Sequence, residues 1–420
     1  MWGLGGALFL IAFYQRVAPA VMGDELTRDF QLTAVGLGTL SAFYFYSYVP
    51  MQIPTGILTD LWGPRKLMAS GALIASLGTV LFGLAPTITL ASLGRFLIGG
   101  SVAVAFVATL QIAGRWLPPK QFALASGLTL LIGVLGAVFA GVPLQAGIDA
   151  FGWRAVMLGS AVLPFAAAIA IWFFVRDRPQ EMGYTGFGIA DTPPDQTSWQ
   201  EVLKGIVEVL SYRNGWLLFI IPGGLGGAVL AFAGLWGVPF MKTHYGLSDN
   251  TAASLATTLL VTFALSGPLM GGLSDRIGRR KLPYLLGCLG ATIGWAIIIL
   301  VEGLPIWLFT TLLIVIGITS GTMIISFAFV RESVPSQLSG TAIGSCNMGL
   351  MLGPMILQPA IGSVLDRYWD GAQAAGQRLY SFEAYRAAFS LMLVWLVVSL
   401  ILLTLTQETY CRPLIQPTKE

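Results

Sequence analysis

The sequence predicts an all-α membrane protein, twelve transmembrane helices arranged as two six-helix bundles, and three observations lead there. First, 55% of the 420 residues are hydrophobic and 10% are charged, with a mean hydropathy of +0.78. A soluble domain of this length needs far more charge to cover its surface. Second, apolar runs of about 20 residues, the length that crosses a hydrocarbon core, recur twelve times between polar or Gly/Pro breaks. Third, two polar loops match: Gly56-Ile-Leu-Thr-Asp60-Leu-Trp-Gly63-Pro-Arg65-Lys66 and Gly271-Gly-Leu-Ser-Asp275-Arg-Ile-Gly278-Arg279-Arg280-Lys281. Their aspartates stand 215 residues apart, about half the chain. Two halves that carry the same loop between the same pair of spans imply a duplicated bundle.

The spans are expected near residues 1–23, 36–59, 66–85, 88–114, 121–148, 152–176, 213–242, 250–274, 282–301, 304–330, 338–365 and 382–406. The first has no basic region ahead of it, so no cleavable signal peptide is expected. The second and third flank one matched loop, and the eighth and ninth flank the other. Ser126-Gly127 of the fifth recurs as Ser339-Gly340 of the eleventh, and Gln145 recurs as Gln358, both at an offset of 213 residues. Trp153-Arg154-Ala155 opens the sixth as Tyr385-Arg386-Ala387 opens the twelfth. The expected domains are therefore an N-terminal bundle over 1–176, a cytoplasmic linker over 177–212, a C-terminal bundle over 213–407 and a cytoplasmic tail over 408–420. Within the linker, residues 199–211 show helical apolar spacing and read as a linker helix.

With both termini inside, fifteen Lys and Arg fall in inner loops and six in outer segments, the positive-inside pattern. A net charge of +3 with no basic tail gives nucleic acid no purchase. Cys288, Cys346 and Cys411 are odd in number and lack a CxxC spacing, so they read as small apolar residues. One histidine, His244, makes no metal site, and no phosphate-cradling loop or nucleophile constellation is present. No cofactor, metal or enzymatic chemistry is expected.

Two arginines lie inside spans, Arg16 in the first and Arg95 in the fourth. On a lipid face either would cost several kcal/mol, so both are expected to face the interior. Each stands about seven residues from the outer end of its span, which at about 1.5 Å per residue is about 10 Å deep. Two permanent guanidiniums at one depth form a candidate clamp for a carboxylate or phosphate. The competing reading makes Arg95 structural, bonded to backbone carbonyls or to Gln15. Further cavity candidates are Tyr44, Tyr46 and Gln52 in the second span, Trp236 in the seventh, and Asn347 and Gln358 in the eleventh.

These residues resemble the major facilitator superfamily over essentially the whole chain. The loop motif G-x-x-x-D-[RK]-x-G-[RK]-[RK] is nearly complete at Gly271–Arg280, and its first copy departs at Leu61 and Pro64. Arg95-Phe-Leu-Ile-Gly99 matches the fourth-span R-x-x-x-G, and Arg176-Asp177-x-Pro179 with Gly183 resembles the usual exit from the sixth. The resemblance implies two bundles that rock about a central cavity. Asp60, Arg65, Asp275, Arg276 and Arg279 would then serve an inner gate, through contacts that break and re-form.

Tyr14-Gln15-Arg16 further resembles the Tyr-Asp-Arg element of organic anion:cation symporters, which also carry a fourth-helix arginine. It departs at Gln15, and Val102 is not acidic either. That departure leaves Asp24, Glu25 or the substrate itself to carry a proton. The fifth span, Gly133-Val-Leu-Gly136-Ala-Val-Phe-Ala-Gly141-Val-Pro143, lacks the G-P-x-x-G-G element of drug antiporters.

The protein is therefore expected to be a symporter: a monomer in lipid, in a bacterial inner membrane, moving a small organic solute, an organic anion or an amino acid, with H+ or Na+. Tyr14, Gln15, Arg16, Tyr44, Arg95, Trp236, Asn347 and Gln358 are its candidate substrate contacts. The alternatives are an efflux antiporter and, from another class, a non-transporting nutrient sensor.

Overall fold

The computed structural model describes residues 1–184, 199–374 and 377–414; the side chains at 53, 56, 57, 60, 119, 120, 122, 123, 199–202, 336, 374 and 377 lie outside the description. Among the described residues, ten helices are long and apolar enough to cross a membrane, from Pro64–Leu84 through to Phe382–Leu405. They stand where the third to twelfth spans are expected. The first is a broken span, Trp2–Ala20 with Gly23–Phe30, bent by 63°. The break follows a 3-10 turn at Ala18–Ala20 with Pro19 at its centre, and a proline cannot extend the hydrogen-bond ladder. The second is the 29-residue helix Ala34–Trp62, with Pro50 and Pro54 inside it. The set is consistent with twelve spans in a multi-pass membrane protein.

Among the described residues, strand pairing occurs in one two-residue antiparallel ladder, Gln373–Ala374 with Gln377–Arg378. In the central segment Trp199–Ser211 is helical, while 185–198 lie outside the described residues. Val209 of this helix is buried and Leu203 and Val207 are exposed. All three cysteines are free thiols.

The helices pack as two units, Met1–Met22 with Phe43–Trp199 and Gly23–Ala42 with Gln200–Glu420. The first has a core of Leu8, Phe9, Met68, Ala72, Ala105, Ile112 and Ile171. The second centres on aromatic rings, with Phe232 at 5.0 Å from Trp295 and 5.6 Å from Phe389, centroid to centroid. Residues 23–42 are fastened inside it. Asp366 accepts from the backbone N–H groups of Ala34 (3.1 Å) and Val35 (2.9 Å), capping the helix Ala34–Trp62. Lys242 bridges Asp24 and Asp249.

Helices in a bilayer associate through close packing and not through escape from water. A close helix contact in the second unit puts Gly227 of the seventh span on Gly353 of the eleventh, where a Cβ on either would strike the other's backbone. A Gly353→Val substitution is expected to cost about 1–3 kcal/mol by overpacking and to lower the thermal midpoint of the detergent-purified protein. Gly340→Ala, at a glycine with nothing within 4 Å of its Cβ position, should leave that midpoint unchanged.

Candidate functional site

The first unit holds two buried guanidiniums, and Pro19 explains one of them. In a helix the carbonyl of Gln15 would accept the N–H of residue 19, and proline has none. Arg95 supplies the missing donor: its Nη1 reaches the Gln15 carbonyl oxygen at 2.6 Å. Gly99, one turn further on, lets the fourth span lie on the backbone carbonyl of Tyr44, where a Cβ would collide. The approach brings the Arg95 guanidinium over the Tyr44 ring at 5.1 Å.

Arg16 reaches the same ring from the first span. Its Nε donates to Tyr44 Oη (3.4 Å), and that hydroxyl donates to the Ala12 carbonyl (3.5 Å). The guanidinium also lies over Phe13 (4.4 Å) and Tyr48 (4.8 Å). Tyr44 and Tyr48 are one helical turn apart, so their rings stack at 5.6 Å and 16°. Arg16 is 3% exposed and Arg95 2%. Among the described residues, the partners of Arg16 are all neutral. A cation over an aromatic face gains about 0.5–2 kcal/mol, less than a charge-assisted pair with an oxyanion offers in the same surroundings.

Gln15 completes the cluster. Its Nε2 donates to Thr79 Oγ1 (2.6 Å), which donates on to the Ala75 carbonyl (2.7 Å). Because the threonine proton is committed, the amide must face Thr79 with its NH2. Gln15 Oε1 is left buried with no hydrogen-bond partner among the described residues. Tyr14 is half-buried nearby on the same helix.

The structure therefore gathers Gln15, Arg16, Tyr44 and Arg95 at one place. Trp236 and Gln358 meet separately in the second unit. Trp236 ends a π-helical segment, Phe232–Trp236, and its Nε1 donates to the Gln358 carbonyl at 3.0 Å. Asn347 is half-buried on the same helix as Gln358. Phe13, Tyr48 and Thr79 were not among the expected contacts. Only the one-turn spacing of Phe13 to Arg16 and of Tyr44 to Tyr48 hinted at two of them.

At the matched loops, the side chain of Asp60 lies outside the description. Arg65 is engaged inside the first unit: its backbone N–H donates to Asp177 Oδ1 (2.7 Å), its Nε to the Trp172 carbonyl (2.9 Å), and its guanidinium covers the Trp172 ring at 5.0 Å. In the second loop Asp275 pairs with Arg280 at 2.6 Å, while Arg276 and Arg279 are exposed. Arg280 is itself buried and pairs with Glu332 at 2.7 Å. Thr409 Oγ1 donates to the same carboxylate (2.6 Å). Burial by itself would lower the Arg280 pKa, but hydrogen bonds to Glu332 and Asp275 raise it above the ordinary arginine value.

A duplicated device, absent from the expected site residues, appears here. Asp177, after the sixth span, caps the helix that begins at Pro64. Glu408, after the twelfth, caps the corresponding helix through the N–H groups of Arg280 (2.8 Å) and Lys281 (3.0 Å). The sequence signal was an acid just past the last span of each half.

Comparison with known proteins agrees with this architecture. The family model described as Major Facilitator Superfamily matches residues 4–238 and again 218–410. The probable sulfoacetate transporter of Cupriavidus necator is 24% identical over 386 residues, covering 86% of this chain and 85% of that one. The cis,cis-muconate transport protein of Acinetobacter baylyi is 23% identical over 343 residues, 81% of each chain. In fold, the chain is similar to the crystal structure of a bacterial homolog to the human lysosomal transporter Spinster, with a TM-score of 0.72, 19% identity, and coverage of 96% of this chain and 95% of that one.

The Arg280–Glu332 pair generates a test. Breaking a buried pair by removing one partner costs about 3–5 kcal/mol, so Glu332→Gln should sharply lower the thermal midpoint. The double variant Arg280→Met with Glu332→Leu should recover most of that loss, because no buried charge is then stranded.

Proposed function

The chain belongs to the major facilitator superfamily, and from that premise we propose that it imports a small organic anion by alternating access, in symport with H+ or Na+. The carrying observation is the meeting of two buried guanidiniums, Arg16 and Arg95, at Tyr44. A transporter interior holding two permanent cations against neutral aromatic faces is complementary to an anion. The relatives support the same solute class: one is named for sulfoacetate and one for cis,cis-muconate, and each of those solutes carries two negative groups. The fifth span's lack of a Gly-Pro step supports import over efflux. In this scheme the bundles 1–176 and 213–407 rock about the site as a monomer, with both termini cytoplasmic in a bacterial inner membrane. Asp60, Arg65, Asp275, Arg276 and Arg279 serve the inner gate.

Coupling falls to Glu25. Gln15 occupies the place of an acid and cannot titrate, and Asp24 is held by Lys242. One oxygen of Glu25, Oε2, is buried with no hydrogen-bond partner among the described residues, a carboxylate with little to hold it ionised once its surroundings dry.

A thermal-shift panel of carboxylates, sulfonates, sugars and cationic drugs on the purified protein tests the solute class. Stabilisation by acids is expected, and Arg16→Gln should abolish it and slow uptake into proteoliposomes at least tenfold. Stabilisation by neutral or cationic compounds alone would refute the proposal. For coupling, Glu25→Gln should lose gradient-driven accumulation of labelled muconate while keeping exchange across the membrane within about twofold of the parent rate. Accumulation that persists would remove Glu25 from the coupling path.

A further inference from the structure

The geometry points to residues 23–42 as an outer latch: a stretch of the first half that the second unit holds through Asp366, and that has to let go each time the site opens outward. This inference rests on the rocking of the bundles and the cytoplasmic termini proposed above.

Sequence and packing divide the chain differently at this stretch. By sequence, residues 23–42 belong to the first half. By packing they lie with 200–420, while their chain neighbours 1–22 and 43–199 form the first unit. The helix Ala34–Trp62 runs unbroken through that boundary, so its first turns move as one rod with the rest. Such a rod cannot keep its tip in the second unit while its body follows the first through a rocking motion. At its other end the stretch is jointed, because it meets the first span at the 63° bend after Pro19.

Asp366, in the last turn of the helix Ser339–Arg367, fastens the tip of the rod. One carboxylate oxygen accepts from the Ala34 N–H and the other from the Val35 N–H. Tyr380 Oη (2.8 Å) and Arg378 Nη1 (3.1 Å) donate to the same carboxylate and hold it towards the helix end. The first N–H groups of a helix have no partner within it, and its positive end favours an anion. The caps made by Asp177 on Arg65 and by Glu408 on Arg280 and Lys281 each stay within one half of the chain. Asp366 reaches across the halves, 332 residues from Ala34.

Beneath the cap the two helices touch backbone to backbone. A Cβ on Gly38 would strike the Gln358 carbonyl, and one on Gly362 would strike the Ala34 carbonyl. At these two points no side chain keys one helix into the other. Lys242 adds a second fastener by bridging Asp24 and Asp249, whose side chains are 42% and 45% exposed. Water can replace an exposed pair at little cost. The Arg280–Glu332 pair is the opposite case: its side chains are 8% and 7% exposed, and parting them strands a buried charge. When Asp366 withdraws, Thr33 Oγ1 still accepts from the Gly36 N–H (3.4 Å), and the freed N–H groups stand at the outer boundary within reach of water. The outer fasteners are built to release, and the inner pair to hold.

Thiol accessibility reads the latch with no solute present. Ser41 is buried, about two turns along the helix from the cap. Ser41→Cys in a Cys411→Ser background should react slowly with a membrane-impermeant maleimide applied to intact cells. Adding Asp366→Asn, which keeps the side chain's shape and removes its charge, should raise that rate about fivefold or more. Cys288 and Cys346, buried native thiols of the second unit, should stay unlabelled throughout. Where Asp366→Asn does not fold, Lys242→Gln removes the second fastener and should raise the rate in the same direction. Separately, Asp24→Cys with Lys242→Cys, bridged by a short bifunctional thiosulfonate, fastens the stretch covalently. Uptake of labelled cis,cis-muconate should then fall about tenfold or more and return on reduction.

An unchanged labelling rate in Asp366→Asn, or undiminished uptake with the bridge in place, would overturn the latch and leave the carrier reading standing. Labelling of Cys288 and Cys346 alongside Ser41→Cys would mark Asp366 as merely structural and overturn it too. Should the parent protein take up no muconate or other acid, the solute reading proposed above fails, and the labelling rates still decide the latch.

Discussion

A guanidinium sealed inside a membrane protein has to be compensated, and the first unit is organised around that requirement. Arg95 is satisfied by a carbonyl that Pro19 leaves free, and by the face of Tyr44. Arg16 is satisfied by the Tyr44 hydroxyl and three ring faces. None of the described partners of Arg16 is an acid. Had an aspartate stood at Gln15, the nearest guanidinium would have had a permanent partner and an anionic solute a competitor. An amide avoids that competition, and its chain of hydrogen bonds to Thr79 and Ala75 keeps it oriented.

The duplication of the chain is also a duplication of physical devices. Each half ends its last span with an acid that returns to cap the helix after the matched loop, Asp177 on Arg65 and Glu408 on Arg280 and Lys281. A helix N-terminus at a membrane boundary presents unsatisfied N–H groups and a partial positive charge, so an acid there is favoured on both counts. The halves then diverge. Arg65 turns its side chain to Trp172, whereas Arg280 turns inward to Glu332 and gains Asp275 at its other side. The second loop is the more heavily charged.

The legible and the hidden parts of this protein separate along physical lines. Span positions come from apolar run length, which the bilayer imposes locally, and the ten helices long enough to cross stand where the third to twelfth spans are expected. Helical rise along two spans led to the expectation that Arg16 and Arg95 share a depth, and the structure brings both to Tyr44. Partner choice within the second loop was not legible: Asp275 has three arginines nearby, and the one it pairs with depends on Glu332, which lies 52 residues beyond Arg280. Tyr44 could be nominated as polar and intramembrane, but not as a shared seat, because that needs the crossing of three helices. The approach of Gly99 to Tyr44 makes the crossing possible, and the R-x-x-x-G pattern carried it without explaining it. Trp236 could be nominated as a solute contact, but not its N–H bond to the backbone carbonyl of Gln358, 122 residues away.

The break in the first span links these findings. Pro19 ends the helix beyond Arg16 and turns the chain by 63° into the segment that carries Asp24 and Glu25. The same proline vacates the carbonyl that Arg95 occupies. Replacing it would offer the same Gln15 carbonyl a helical N–H, a second donor beside Arg95 Nη1. The free carbonyl beneath Arg95 thus follows from one local rule, the absence of one hydrogen on one nitrogen.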